Sequence, residues 1–271
     1  MITQKLVNKA IKITKPLRYW FDEFTFNRSR KSDEVGGLAG SLKGRPLLIV
    51  GNGPSLNETP LEKFEEVFSI GMNKIDLIFG KTSWRPDIIV ATNNLVVRQH
   101  CRKMAEHGIP CYLSWKSRWF IPRNLRRHFR FFLDKMTTNF QGDISSGLGA
   151  SDTVTYVALQ FAYYMEADPV IIVGVDHNFV HAGSPNDYTK REGADVNHFD
   201  PNYFASGQYW GVPNLEGSEV SYLKAKLAFD SAGRKIVDAT VGGKLNVFEK
   251  ASIEEALELM SKSQSKVIDH P

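Results

Sequence analysis

The run Gly51-Asn52-Gly53-Pro54-Ser55-Leu56 directly follows the apolar tetrapeptide Leu47–Val50. Glycines here allow a tight turn that brings main-chain amides against a ligand's phosphates or ribose, at the strand end where doubly wound sheets bind ligands. Leu56 holds the third glycine position of a dinucleotide turn, and no Gly-Lys-Ser/Thr follows, so the run is neither that fingerprint nor a P-loop. Asn52 and Ser55 add short polar side chains. Asn73 ends the run Ser69-Ile70-Gly71-Met72, and Asn93-Asn94 end Val90-Ala91-Thr92. A carboxamide both donates and accepts, which suits a base edge or a sugar hydroxyl. Each asparagine alone reads equally well as a turn residue. Their recurrence after successive strands, on the edge that carries the glycine turn, favours a nucleotide pocket.

Three further groups carry polar chemistry. Ser145-Ser146-Gly147 stands before a strongly periodic helix over 150–166, where a helix N-terminus favours an anion and a capping serine serves equally. Asp176-His177-Asn178-Phe179-Val180-His181 follows an apolar strand over 169–174 and opens a long polar loop. Its i, i+4 histidines would chelate a metal only on a helix, which the strand argues against; no metal site is expected. His198 lies deep in that loop, as a surface residue or a general base. Tyr188, Tyr203, Tyr209 and Trp210 crowd the same loop, placed to stack on a sugar or base or to donate to a phosphate.

The elements that must position these residues follow from periodicity. Strands are expected at 47–50, 67–72, 87–91, 110–115, 169–174 and 235–238, and helices after Thr59-Pro60 and over 154–165, 220–229 and 253–260. The alternation predicts an α/β fold, a Rossmann-like, mainly parallel sheet with helices on both faces. Loop 176–217 is long enough to act as a lid. Ahead of the sheet, Ile2, Leu6, Ala10, Ile13, Leu17 and Trp20 recur at helical spacing among lysines, with Pro16 expected to kink or divide the helix. Residues 1–43 read as a basic amphipathic helix and linker, and 44–271 as the catalytic domain.

Charge is unevenly placed in this chain of 271 residues and net charge +4. The first 32 residues carry eight lysines and arginines against Asp22 and Glu23. Such a helix suits an anionic membrane surface, or else packs on its own domain with its lysines in water. A second basic stretch runs from Lys116 to Arg130, interleaved with Trp115, Trp119 and Phe120. It fits a lipid surface, an anionic acceptor or simply a solvated helix face. No nucleic-acid motif accompanies it, so no nucleic acid is expected as a partner. Cys101 and Cys111 lack CxxC spacing, and no signal-peptide core or 20-residue apolar span occurs. A cytoplasmic location is expected, peripheral on the inner face of the plasma membrane if the helix binds it.

The glycine turn, the asparagine ending the next strand, the Ser-Gly before a long helix and the later Gly174-Val175-Asp176 resemble the bacterial sialyltransferases of the Campylobacter type. They also resemble a wider class that includes motility-associated glycosyltransferases and archaeal 6-hydroxymethylpterin pyrophosphokinases, as do the stretches 197–204 and 238–243. The sialyltransferase resemblance implies a modified GT-A fold and a CMP-linked donor. It implies that Gly51, Asn52, Gly53, Ser55, Asn73, Asn93 or Asn94, Ser146, Gly147, Asp176 and Asn178 line the nucleotide pocket. It further implies that His198 deprotonates the acceptor in an inverting transfer without a cofactor. Of the two tyrosines that meet the leaving phosphate in that family, the first position falls near Asn178 and Tyr188 is the second.

Three functions are therefore expected in order. The first is a glycosyltransferase that moves a sugar, such as a nonulosonic acid, from a nucleotide-sugar donor to a cell-surface glycan or lipid-linked acceptor. The second is a pyrophosphokinase-like transferase using ATP and magnesium, with Asp176 as metal ligand. The third is a non-catalytic nucleotide-binding module.

Overall fold

Apolar tetrapeptides set the sheet. In the computed structural model, residues 2–29, 31–180, 183–185 and 187–268 are described, with the side chains of 2–13 and 266–268 left aside. The strands in chain order are β1 (Leu47–Val50), β2 (Phe68–Met72), β3 (Ile88–Ala91), β4 (Cys111–Ser114), β5 (Phe129–Phe132), β6 (Asp134–Lys135) and β7 (Leu148–Gly149). They continue with β8 (Val170–Val173), β9 (Tyr188–Lys190), β10 (Tyr209–Gly211), β11 (Ile236–Asp238) and β12 (Glu249–Lys250). The helices are α1 (Ile2–Arg28), α2 (Ser32–Gly36), α3 (Asn94–Glu106), α4 (Val154–Tyr164), α5 (Leu215–Ser231) and α6 (Ile253–Ile268).

The main sheet has the order β12-β11-β8-β1-β2-β3-β4-β5, and every pairing in it is parallel. Parallel strands buried on both faces need apolar residues at every position. Alternate residues then serve opposite cores. Leu48, Val50, Ile171 and Val173 pack with Val97 and Met104 of α3 and Ala256 and Met260 of α6. Leu47, Ile49, Val170 and Ile172 pack with Phe161 of α4 and Phe229 of α5. Helices thus cover both faces, and the fold is the expected Rossmann-like one.

Strand order reverses between β1 and β8: the chain runs one way from β1 to β5 and the other way from β8 to β12. The crevice at the carboxyl ends of these two central strands is the topological switch point, where such sheets bind ligands.

Several local expectations are corrected. No α-helix follows Thr59-Pro60; Pro54–Glu58 and Leu61–Phe64 are short 3-10 turns, between prolines that restrict helical bonding. The basic stretch 115–130 is two such turns, Trp115–Phe120 and Arg123–His128, leading into edge strand β5. Pro16 lies inside α1 without dividing it. The linker expected ahead of the domain is packed over 31–43: Val35 and Leu42 are buried, and Leu42 N–H donates to Met165 O at 2.8 Å. α3, which is not among the helices expected from periodicity, begins at the asparagine pair. Loop 176–217 is not a free lid. It forms the antiparallel ribbon β9–β10 and buries Phe199, Tyr203, Phe204, Trp210 and Val212.

Candidate active site

A cavity of about 470 Å³ opens over the switch point. Gly51, Asn52, Gly53, Asn73, Asn93, Asn94, Asp176, Asn178, Tyr188 and His198 line it. Elements far apart in the chain therefore deliver most of the residues that spacing singled out. Ser146 and Gly147 are not among the lining residues. They precede β7, well before Thr153 caps α4, and Ser146 Oγ accepts from Lys135 Nζ at 2.9 Å. The α4 start that faces the cavity is instead Ser151-Asp152-Thr153-Val154-Thr155. The signal that marks it is Ser151-Asp152-Thr153, a run of capping residues just before the apolar period.

The glycine turn works differently from its sequence expectation. Gly51 N–H donates to Val173 O and Gly53 N–H to Gly174 O, each at 2.8 Å. Ser55 N–H and Oγ both donate to the Asp176 carboxylate, at 3.0 and 2.7 Å. Those amides are engaged within the protein and do not cradle a ligand. The glycines instead let the β1 and β8 ends touch, since a β-carbon on Gly51 would stand 2.1 Å from Gly174 O. Ser55 stands behind the wall, holding Asp176. Burial raises the Asp176 carboxyl above its ordinary value, against the hydrogen bonds from Ser55 and with a further push from Asp238.

The asparagines divide into two kinds. Asn93 Oδ1 caps α3, accepting from Leu95 N–H at 2.9 Å, and Asn94 Oδ1 accepts from Ser117 Oγ at 2.8 Å. Asn52 Nδ2 donates to Met72 O at 2.9 Å, which leaves its Oδ1 buried and unpartnered. Asn73 Oδ1 is buried and unpartnered as well. Asn73 and His177, both at the cavity, hold left-handed φ of 52°. Two residues that line one cavity thus carry buried acceptors without a partner, beside sparsely populated backbone, which suits a donor-bearing ligand.

Three helices begin at this cavity, through Asn94 and Val96 of α3, Val154 and Thr155 of α4, and Leu215 and Ser218 of α5. Each N-terminus favours negative charge by about 0.3–1 kcal/mol. The mouth also carries Lys116, paired to Asp134 at 3.2 Å.

His198 is held from three sides. Its Nδ1 lies 2.9 Å from Asp195 Oδ2, its ring stacks on Tyr203 at 3.9 Å and 1°, and Phe204 meets it edge-on. The loop is anchored to the glycine turn: Phe199 N–H donates to Asn52 O at 3.0 Å, and Asn57 Nδ2 donates to Phe199 O at 2.9 Å. Asp195 is buried and also receives Arg191 Nη2 at 2.8 Å and the amides of Asn197 and Phe204. Burial alone would raise its carboxyl, but the hydrogen bond and charge of His198, with Asn197 N–H and Arg191, hold it below the ordinary value. An ionised Asp195 accepts Nδ1–H, which leaves Nε2 as the basic nitrogen at the cavity. Among the described residues Nε2 has no partner.

Asp195 escaped sequence reasoning, although Asp195-x-x-His198 was its signal. So did Lys74, buried beneath the loop, whose Nζ donates to Tyr203 O at 2.7 Å and lies 4.6 Å from the Phe204 ring centroid. Burial lowers its ammonium to about 8. His177 Nε2 faces Glu219 at 2.9 Å, and His181, the other histidine of that i, i+4 pair, lies outside the described residues. Among the described residues no cluster of three or more His, Cys, Asp or Glu is arranged to hold a metal ion.

Residues 21–181 match the model of a family described as 6-hydroxymethylpterin diphosphokinase MptE-like. The chain belongs to this MptE-like family. The matched residues hold the glycine turn, the four cavity asparagines of the strand ends, Asp176 and Asn178, whereas the Asp195–His198 pair lies beyond them. No curated protein matches the chain. Among solved structures it is similar to the MAf glycosyltransferase from Magnetospirillum magneticum AMB-1, at 14% identity and a TM-score of 0.52. That likeness covers 85% of this chain and 38% of the other, and at this identity it speaks to the shared fold.

Proposed function

We propose that this MptE-like chain transfers a sugar from a nucleotide-linked donor to a hydroxyl of a glycan or lipid-linked acceptor. The observation that carries the reading is the Asp195–His198 pair: His198 lines a cavity where three helices begin at the switch point, and its Nε2 has no partner among the described residues. In the step, Nε2 takes the acceptor proton as the acceptor oxygen bonds to the anomeric carbon. The bond from that carbon to the donor's phosphate oxygen breaks, and its electrons leave with the nucleotide. The helix N-termini and the exposed Tyr188 at the rim meet the charge of the departing phosphate. Asn52 and Asn73 supply acceptors for donor groups of the nucleoside, such as an exocyclic amine or a ribose hydroxyl. The fold shared with a glycosyltransferase supports this choice. A CMP-linked nonulosonic acid and inversion at the anomeric carbon are the finer form of the reading.

The family description favours a second reading, a diphosphokinase using ATP and magnesium. The same base would deprotonate an alcohol, with phosphorus as the electrophile. In that reading Asp176 would be the magnesium ligand, although both its oxygens already accept from Ser55.

Thermal-shift titration with CMP, UDP, GDP and ATP, each with and without magnesium, separates the two. Stabilisation by a CMP, UDP or GDP ligand supports glycosyl transfer, and product analysis with the matching sugar nucleotide completes the test. Stabilisation by ATP with magnesium alone overturns it in favour of the diphosphokinase.

A further inference from the structure

Four apolar residues of α1, Leu17, Trp20, Phe21 and Phe24, stand at i, i+3, i+4 and i+7, the spacing of one helical stripe. All four are 45–65% exposed. Trp20 stacks on Phe24 at 5.7 Å, and Arg28 lies over Phe24 at 5.6 Å. The helix cannot roll to hide this stripe, because its other face is fixed. Arg118 pairs with Asp22 at 2.8 Å, Trp115 Nε1 donates to Thr25 Oγ1 at 3.0 Å, and Phe26 is in the core against Trp115.

The segment that fixes it exposes aromatic surface of its own. In the turn Trp115–Phe120, Trp119 and Phe120 are 62% and 41% exposed, and Arg118 bridges the Trp115 and Trp119 rings at 4.3 and 4.6 Å. Residues 14–28 and 115–130 together carry nine lysines and arginines; with Arg118 paired to Asp22 and Lys116 to Asp134, seven remain against Glu23, whereas the whole chain has a net charge of only +4. Arg123 and Arg127 are exposed, with no acidic partner among the described residues. The two basic-aromatic stretches of the sequence are therefore neighbours in the fold, with their exposed rings on adjoining elements.

We infer that this surface docks on an anionic phospholipid bilayer. Exposed Trp and Phe rimmed by Arg and Lys match the acyl boundary and the charged headgroups respectively. A second copy of the chain would bring the same positive excess against itself, which the charge opposes. Among the described residues no helix is long and apolar enough to cross a membrane, so the contact lies along the surface. Lys116, in the same turn as Trp119, lines the cavity. Docking thus sets the cavity close to the bilayer, where a lipid-linked acceptor would lie. The inference stands on the surface itself and not on the chemistry proposed for the cavity.

The test is co-flotation of the full chain with phosphatidylcholine vesicles, with and without about one-third phosphatidylglycerol, alongside fluorescence quenching by brominated lipid. Preferential flotation with the anionic vesicles and tryptophan quenching are expected. Trp20→Ala/Phe24→Ala and, separately, Arg123→Glu/Arg127→Glu should each lower the partition coefficient at least tenfold. Nucleotide-induced thermal shifts should stay as in the unaltered chain, which separates failure of docking from failure of the cavity reading. Failure to float with anionic vesicles would overturn the inference. So would equal flotation with neutral ones, undiminished binding by both variants, or binding to a single-stranded oligonucleotide that Trp20→Ala/Phe24→Ala leaves intact in the absence of vesicle binding. If either variant unfolds, the absence of brominated-lipid quenching in the unaltered chain still decides against it.

Discussion

Gly53 and the Asp176 carboxylate compete for one space: a β-carbon on Gly53 would stand 1.7 Å from Asp176 Oδ2. The carboxylate is held there by two hydrogen bonds from Ser55. Those contacts join the turns that follow β1 and β8, so the floor of the cavity depends on the absence of a side chain. Gly53→Ala should push Asp176 off Ser55 and lower stability by about 1–3 kcal/mol, read from the urea midpoint. An unchanged midpoint would mean that the two turns separate freely.

The Asp195–His198 pair predicts a division between binding and turnover. Asp195→Asn keeps the size of the side chain but removes the charge that fixes the imidazole tautomer. His198→Ala should lower turnover roughly 10²–10⁴-fold, and Asp195→Asn should also reduce it while nucleotide affinity stays within about twofold. Calorimetric binding and product assays on the same preparations check this. A His198→Ala chain with unimpaired turnover would remove the base from the proposal.

Asn73 tests the cavity's orphaned acceptor. Its φ of 52° suits glycine, so Asn73→Gly keeps the backbone while deleting Oδ1 together with the side chain's hydrogen bond to the buried Tyr203 phenol. Nucleotide affinity should fall roughly tenfold, near 1.4 kcal/mol, and the ligand-free protein should lose about 1 kcal/mol of stability with the Tyr203 bond. Equal affinity in the two proteins would show that Oδ1 meets no ligand group.

Lys74 makes stability depend on alkaline pH. Burial depresses its ammonium from 10.5 to about 8. Above pH 8 the folded chain sheds this proton while the unfolded chain keeps it, so the group's contribution rises with pH until both states are neutral near 10.5. As pH falls through the folded value, that contribution is lost. Between pH 7.5 and 9.5 the unaltered protein should therefore gain on the order of 1–2 kcal/mol relative to Lys74→Met. Urea denaturation of both at the two pH values measures it, and a constant difference would contradict the burial argument.

The parallel sheet was legible in residue order, because strands buried on both faces must be apolar at every position, as Leu47–Val50 and Val170–Val173 are. The turn after β1 was legible for a similar reason, since glycine spacing is a local demand of the backbone. What each residue does there was not. Asn52 and Asn93 look alike in sequence, yet Asn93 spends its Oδ1 on the start of its own helix while Asn52 keeps its Oδ1 free. Ser146 seemed to cap the long helix and does not, and Ser55 serves Asp176 rather than the cavity. The stripe on α1 was readable as a period, but only its clasp by Arg118 shows which face is left outward. Periodicity and turn chemistry depend on near neighbours and are written along the chain. The allocation of the Asn52 and Ser55 hydrogen bonds depends on Met72 and Asp176, 20 and 121 positions away, and only the folded chain brings those together.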